Sequence, residues 1–147
     1  MPTEHSRAAL ARLIPWFESL SPQSLQRLGD FYAADAHFKD PFNEVQGVAA
    51  ITRIFEHMFE NLHRPRFVVT QQLVDGAQAF LVWEFRFRFK RGDTAAEQVI
   101  RGGSHLTLDH NGRITDHRDY WDAAEELYEK LPLVGTLMRF LKRKASQ

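Results

Sequence analysis

The sequence contains no cysteine, so disulfides, thiolate metal ligands and redox chemistry at sulfur are all excluded. It has no excess charge either, since 19 lysines and arginines balance 19 aspartates and glutamates. A domain gripping nucleic acid by bulk electrostatics would carry a basic surplus, so no nucleic-acid partner is expected. No apolar run reaches the roughly 20 residues that cross a bilayer. The opening "MPTEHSRAALARLIPWF" lacks the charged-then-apolar layout of a signal peptide, and a cytoplasmic protein is expected. His37, His57, His63 and His110 share no face with carboxylates at ligand spacing, so no metal is expected, and the acid–base chemistry considered below needs no other cofactor. Repeats, low-complexity tracts and long linkers are absent as well. With 147 residues, the chain suits one domain with a substantial core. What it has in quantity is aromatic: twelve phenylalanines and three tryptophans, enough to line an interior.

The first third has a helical period. "SRAALARLIPWFESL" predicts an amphipathic helix with Pro15 as a kink or an early stop. "SPQSLQRLGDFYA" begins with Ser21 as N-cap and Pro22 at the first helical position, and predicts a second helix. "AHFKDPF" predicts a short strand. "VAAITRIFEHMFENL" predicts a third helix, its apolar side formed by Val48, Ile51, Ile54, Phe55, Met58 and Phe59. After that the period changes to two. "RFVVTQQLV", "AFLVWEFRFRFK", "AEQVIRGGSHLTLD" and "RITDHRDYW" predict four strands, with turns at Asp75-Gly76 and Asn111-Gly112. In the second strand Trp83, Phe85, Phe87 and Phe89 alternate with Glu84, Arg86 and Arg88, so one sheet face is apolar and the other charged. Helices first and hairpins after predict an α+β domain, helices covering one side of a curved antiparallel sheet.

The tail from about 123 to 145 returns to a helical pattern. Leu133, Val134, Leu137, Met138 and Leu141 form a stripe beside the basic Arg139, Lys142, Arg143 and Lys144. Such a helix could pack on the domain or on a second subunit, lie on an anionic membrane surface, or cover a pocket mouth.

The run "HFKDPFNEVQG" poses the functional question. Strand alternation sets Phe38 and Asp40 on one face, and Phe38 belongs in the core. Asp40 is then carried inward, at a cost unless something satisfies or uses it. Two readings stay open: a turn aspartate bonded to nearby amides, or an acid on a pocket wall.

Three helices, a strand carrying "DP", a hairpin-rich sheet and a last strand ending "YWD" resemble the NTF2-like superfamily. The similarity is to its SnoaL-like and ketosteroid isomerase branches, over a core of about 9 to 122. "FYAADAHFKDPF" and "LDHNGRITDHRDYW" carry most of it. The resemblance implies a cone-shaped fold with a pocket between helices and sheet. It also implies the isomerases' general base at Asp40, their oxyanion tyrosine at or near Trp16 and their protonated oxyanion aspartate at Ser104. Neither replacement is a strong acidic donor, which argues against steroid isomerase activity.

The family's last strand points Trp121 into the pocket, and period two then sends Asp119 and His117 the same way. The expected catalytic set is therefore Asp40, His117 and Asp119. The expected pocket lining is Trp16, Phe38, Phe55, Phe85, Phe87, Ser104 and Trp121. A small apolar or lipid-like molecule is the expected ligand. Because related folds pair through their sheets, a homodimer is expected, with peripheral membrane contact through the C-terminal helix a further reading. Two functions remain open: a cofactor-independent isomerase, dehydratase, cyclase or hydrolase working by acid–base chemistry, or a non-catalytic dimeric domain binding a ligand, a protein or a membrane.

Overall fold

The computed structural model describes residues 3–92, 94–122 and 126. Helix α1 (Thr3–Glu18) buries Ala9, Leu10, Leu13, Trp16 and Phe17 at helical spacing. Pro15 does not stop it, and the helix ends three residues later, where Ser19 N–H donates to the Pro15 carbonyl at 3.2 Å. Side-chain bonds tie both ends of α1 to the sheet. Ser6 Oγ donates to the Gly76 carbonyl at 2.6 Å, and Glu18 accepts from the Val69 amide at 2.9 Å.

Ser21 and Ser24 exchange hydrogen bonds, each hydroxyl oxygen accepting from the other's amide, at 3.0 and 2.9 Å. This reciprocal cap matches the expected start signal. The helical segment behind the cap is shorter than the predicted helix: a 3₁₀ turn (Ser24–Arg27), then a single helical turn, α2 (Leu28–Phe31). Gly29 and Asp30 are poor helix formers. Tyr32 is already extended, at φ −114° and ψ 138°, and pairs with Ile114 of the last strand. Burying the Tyr32 ring through that pairing outweighed the local helical pattern.

The remaining elements are β1 (Tyr32–Lys39), β2 (Glu44–Gln46), α3 (Val48–Asn61), β3 (Leu62–Asp75), β4 (Gln78–Phe89), β5 (Gln98–Leu108) and β6 (Ile114–Trp121). The six strands form one sheet in the order β2-β1-β6-β5-β4-β3. The expected sheet was wholly antiparallel. One pairing is parallel instead, because β6 returns beside β1 after the β3–β4–β5 meander. The three-residue β2 was not foreseen, and it exists because the chain reverses at Asp40 and lays Val45 against Phe38.

Strand parity sorts the two faces as expected. Trp83 and Phe87 are buried beneath the helices, while Glu84 and Arg86 face outward. On the outer face Arg66 and Arg86 stand directly opposite one another, a destabilising pairing by itself. Glu97 accepts from both, and Glu84 bonds Arg86 at 2.8 Å.

Gly102 and Gly103 in β5 serve opposite faces. A Cβ on Gly102 would lie 2.7 Å from Trp83 Cη2 and 2.8 Å from the Tyr120 carbonyl. One on Gly103 would lie 2.4 Å from the Phe80 ring. Two bare positions therefore let an indole cross β5 inside and a phenyl cross it outside.

The expected C-terminal helix lies outside the described residues. Glu126 alone is described there: it is buried, and its Oε1 accepts from the Arg101 amide at 3.3 Å and from Arg101 Nε at 3.1 Å. Among the described residues no helix is long and apolar enough to cross a membrane.

Candidate active site

A cavity of about 120 Å³ lies between α3 and the inner face of the sheet. Its wall is mostly aromatic: Phe38, Phe42, Phe55, Phe67, Trp83, Phe85 and Trp121. Ile54, Met58, Leu62 and Ile100 complete the apolar surface. Among the described residues, Asp40, Asn43 and Asp119 break it with polar side chains.

Asp40 is the first residue beyond β1, and both readings of it hold at once. Its Oδ1 accepts from the Phe42 amide at 2.8 Å and the Asn43 amide at 2.6 Å. Asn43 Nδ2 lies 3.1 Å from each carboxyl oxygen. This is a turn aspartate of the expected kind, yet the same side chain lies on the cavity wall beside Phe38. Burial, the largest influence, pushes its pKa above the ordinary carboxylate value. The Phe42 amide and the Asn43 side chain oppose the shift, and the nearby negative charge of Asp119 adds to it.

Asp119 reaches the cavity from β6 and is held from behind by a chain of buried groups. His117 Nε2 lies 2.7 Å from Asp119 Oδ1, and Ser104 Oγ donates to the same oxygen at 2.5 Å. Tyr32 Oη lies 2.7 Å from His117 Nδ1, and Trp83 Nε1 donates to Ser104 Oγ at 2.9 Å. One proton arrangement satisfies every contact for a neutral imidazole. A carboxylate oxygen can only accept, so His117 carries its hydrogen on Nε2; Nδ1 is then an acceptor, and the Tyr32 hydroxyl donates to it. Tyr32 suits that role, because burial and the charge of Asp119 push its pKa well above 10.0. Asp119 Oδ2 makes no hydrogen bond among the described residues, which leaves one carboxylate oxygen free on the cavity wall.

The structure thus brings Asp40, Asp119, Phe38, Phe55, Phe85 and Trp121 to one cavity. Four residues expected there lie elsewhere. His117 shares the inward face but is covered, with only 3% of its surface exposed, because Phe38 and Tyr32 pack against its ring. Ser104 is buried behind Asp119, since Trp83 crosses Gly102 and closes over it. Trp16 stacks on Phe31 at 4.5 Å and donates Nε1–H to the Ser24 carbonyl at 3.0 Å, which makes it core. Phe87 is buried between Phe85 and Phe89 on the same face of β4.

Sequence reading missed Tyr32, Phe42, Asn43 and Trp83. The spacing "DPFN" offered Asn43, because an aspartate before proline seeks donors two and three residues on. Nothing local marked Tyr32, whose role depends on pairing with a strand more than eighty residues away. Among the described residues no cluster of three or more histidine, aspartate or glutamate side chains could hold a metal ion.

Helices on a curved mixed sheet, with a cavity beneath them, define an NTF2-like α+β protein. The SnoaL-like domain family matches residues 14–117, most of the chain, so the chain belongs to that family. The match stops two residues short of Asp119. No curated protein matches the chain.

Solved structures share the fold at low identity. An LEH-like epoxide hydrolase from M. tuberculosis is 14% identical, with 93% of this chain and 97% of that one covered and a TM-score of 0.69. A proposed SnoaL-like polyketide cyclase from Shewanella putrefaciens is 18% identical, with 88% and 99% covered and a TM-score of 0.67. A proposed ketosteroid isomerase from Kribbella flavida is 23% identical, with 88% and 84% covered and a TM-score of 0.63.

Proposed function

We propose that the cavity is an acid–base active site for a small, largely apolar molecule. The observation that carries this reading is the setting of Asp119. Two donors occupy its Oδ1, while its Oδ2 stands free on an aromatic wall. An oriented carboxylate with one open oxygen is a proton acceptor. Asp40 is its counterpart: pushed toward the neutral acid, it can hold or return a proton across the same space. Two carboxyl groups whose surroundings differ can divide base and acid roles in this way. His117, Ser104 and Tyr32 are positioning residues in this reading, because they act through Asp119.

Isomerisation, dehydration, cyclisation and hydrolysis all fit such a pair. The fold is shared by proteins named as an epoxide hydrolase and a proposed polyketide cyclase, and a fold alone does not choose among reactions. Asp119→Asn tests the assignment. The amide oxygen can still accept from His117 and Ser104, so the fold should stand while the proton acceptor is gone. On a substrate found by metabolite screening, kcat should fall at least 100-fold, given the roughly 10²–10⁴-fold contribution typical of positioned acids and bases. Unchanged kcat refutes the assignment.

The alternative of a dimeric binding domain draws on the outer sheet face, where Val68, Leu73 and Tyr120 are exposed large apolar residues. Light scattering should then give twice the chain mass, and a monomer would end that reading.

A further inference from the structure

Both acidic groups in the cavity are tethered to aromatic rings. Phe42 comes two residues after Asp40 and donates its amide to the Asp40 carboxyl. Trp121 comes two residues after Asp119 on the same face of β6. The two rings touch on the cavity wall, with centroids 5.9 Å apart and planes tilted by 54°. Two carboxyl groups and two touching aromatic rings thus line the same cavity. Among the described residues the lining includes no lysine, arginine or histidine.

Such a wall carries negative potential from two sources, the Asp119 carboxylate and the ring quadrupoles. An anionic ligand would lose its hydration here and find no cation among the described lining residues to replace it. A hydrophobic ammonium finds the opposite. Its alkyl groups match the apolar lining, and its charge meets ring faces and the free Asp119 oxygen. We propose that the cavity selects small apolar molecules bearing an ammonium group, seated against Phe42, Trp121 and Asp119 near Asp40. This rests on the cavity being a ligand site, as argued above, and not on which carboxyl moves a proton.

Choline and its uncharged isostere 3,3-dimethylbutan-1-ol have nearly the same shape, so their affinities separate charge from fit. Calorimetric or NMR titration of the full chain should give a Kd for choline at least about tenfold lower than for the alcohol, a difference of about 1.4 kcal/mol. Phe42→Leu and Trp121→Leu, checked for folding by circular dichroism, should each weaken choline by a clearly larger factor than the alcohol, since lost apolar area affects both probes and lost cation–π attraction affects choline alone. Phe42 lies in a turn, so its variant guards against a strand-end defect in the other. Equal or tighter binding of the alcohol, no choline binding at tens of millimolar, or equal losses for both probes would overturn the proposal. Its failure is distinct from failure of the acid–base reading, which is judged on turnover by Asp119→Asn and requires no particular choline-to-alcohol ratio.

Discussion

Tyr32→Phe isolates one bond in the chain behind Asp119. The ring is kept and one hydroxyl is lost. Tyr32 is 2% exposed and His117 3%, so no bulk water stands ready to replace the missing donor. The bond measures 2.7 Å, and no other group among the described residues bonds His117 Nδ1. A net hydrogen bond contributes about 1 kcal/mol, and a buried acceptor stripped of its donor costs about 1–3 kcal/mol. These are two views of one loss, so the expected destabilisation is about 1–3 kcal/mol. For a chain of this size it should lower Tm by roughly 3–9 °C. Urea denaturation gives the free energy, and 15N-histidine NMR gives the proton position. In the parent protein His117 should carry its hydrogen on Nε2, with Nδ1 unprotonated. A loss below about 0.5 kcal/mol, or a parent spectrum with the hydrogen on Nδ1, would refute the proton arrangement. If the chain matters for chemistry, the variant should also lower kcat with little change in KM, because Tyr32 does not line the cavity.

Neighbouring groups give three more tests. Asp40→Asn keeps an acceptor for the Phe42 and Asn43 amides, so the turn should survive, whereas Asp40→Ala strands both amides and should cost about 1–3 kcal/mol in urea denaturation. Asp40 should contribute a loss of stability as pH rises from the unfolded carboxyl value near 3.8. Above that value the unfolded chain has released the Asp40 proton while the folded one retains it, so the folded state binds more protons and stability falls until its own raised pKa is passed. Asp40→Asn should remove that part of the pH profile, and an unchanged profile would sink the assignment. Gly102→Ala should be destabilised by about 1–3 kcal/mol, because the new methyl would meet Trp83 and the immovable Tyr120 carbonyl; altered tryptophan fluorescence should report the displaced indole.

Much of the architecture was legible because it rests on local periodicity. The helical spacing of α1 and α3, the alternation along β4 and the turn at Asn111-Gly112 each depend on where one side chain points relative to the next. Parity along β6 likewise assigned His117, Asp119 and Trp121 to a common face, and parity through "FKD" set Asp40 with Phe38. Where long-range pairing competed with local pattern, the reading stopped short. The stretch "LGDFYA" has helical spacing, yet Tyr32 became a strand residue because β6 offered it a partner and a buried site.

The sequence by itself determined an α+β domain with an aromatic interior, two carboxylates directed inward and no thiol chemistry, since these depend on residue type and on periods of two and 3.6. Only the tertiary structure decided which inward residues meet a cavity and which stand behind it. Parity gives a side chain's direction and not what lies at its end. His117 and Ser104 point the right way, but Phe38, Tyr32 and Trp83 pack over them, so they hold Asp119 from behind and leave the cavity to the two carboxyl groups and their rings.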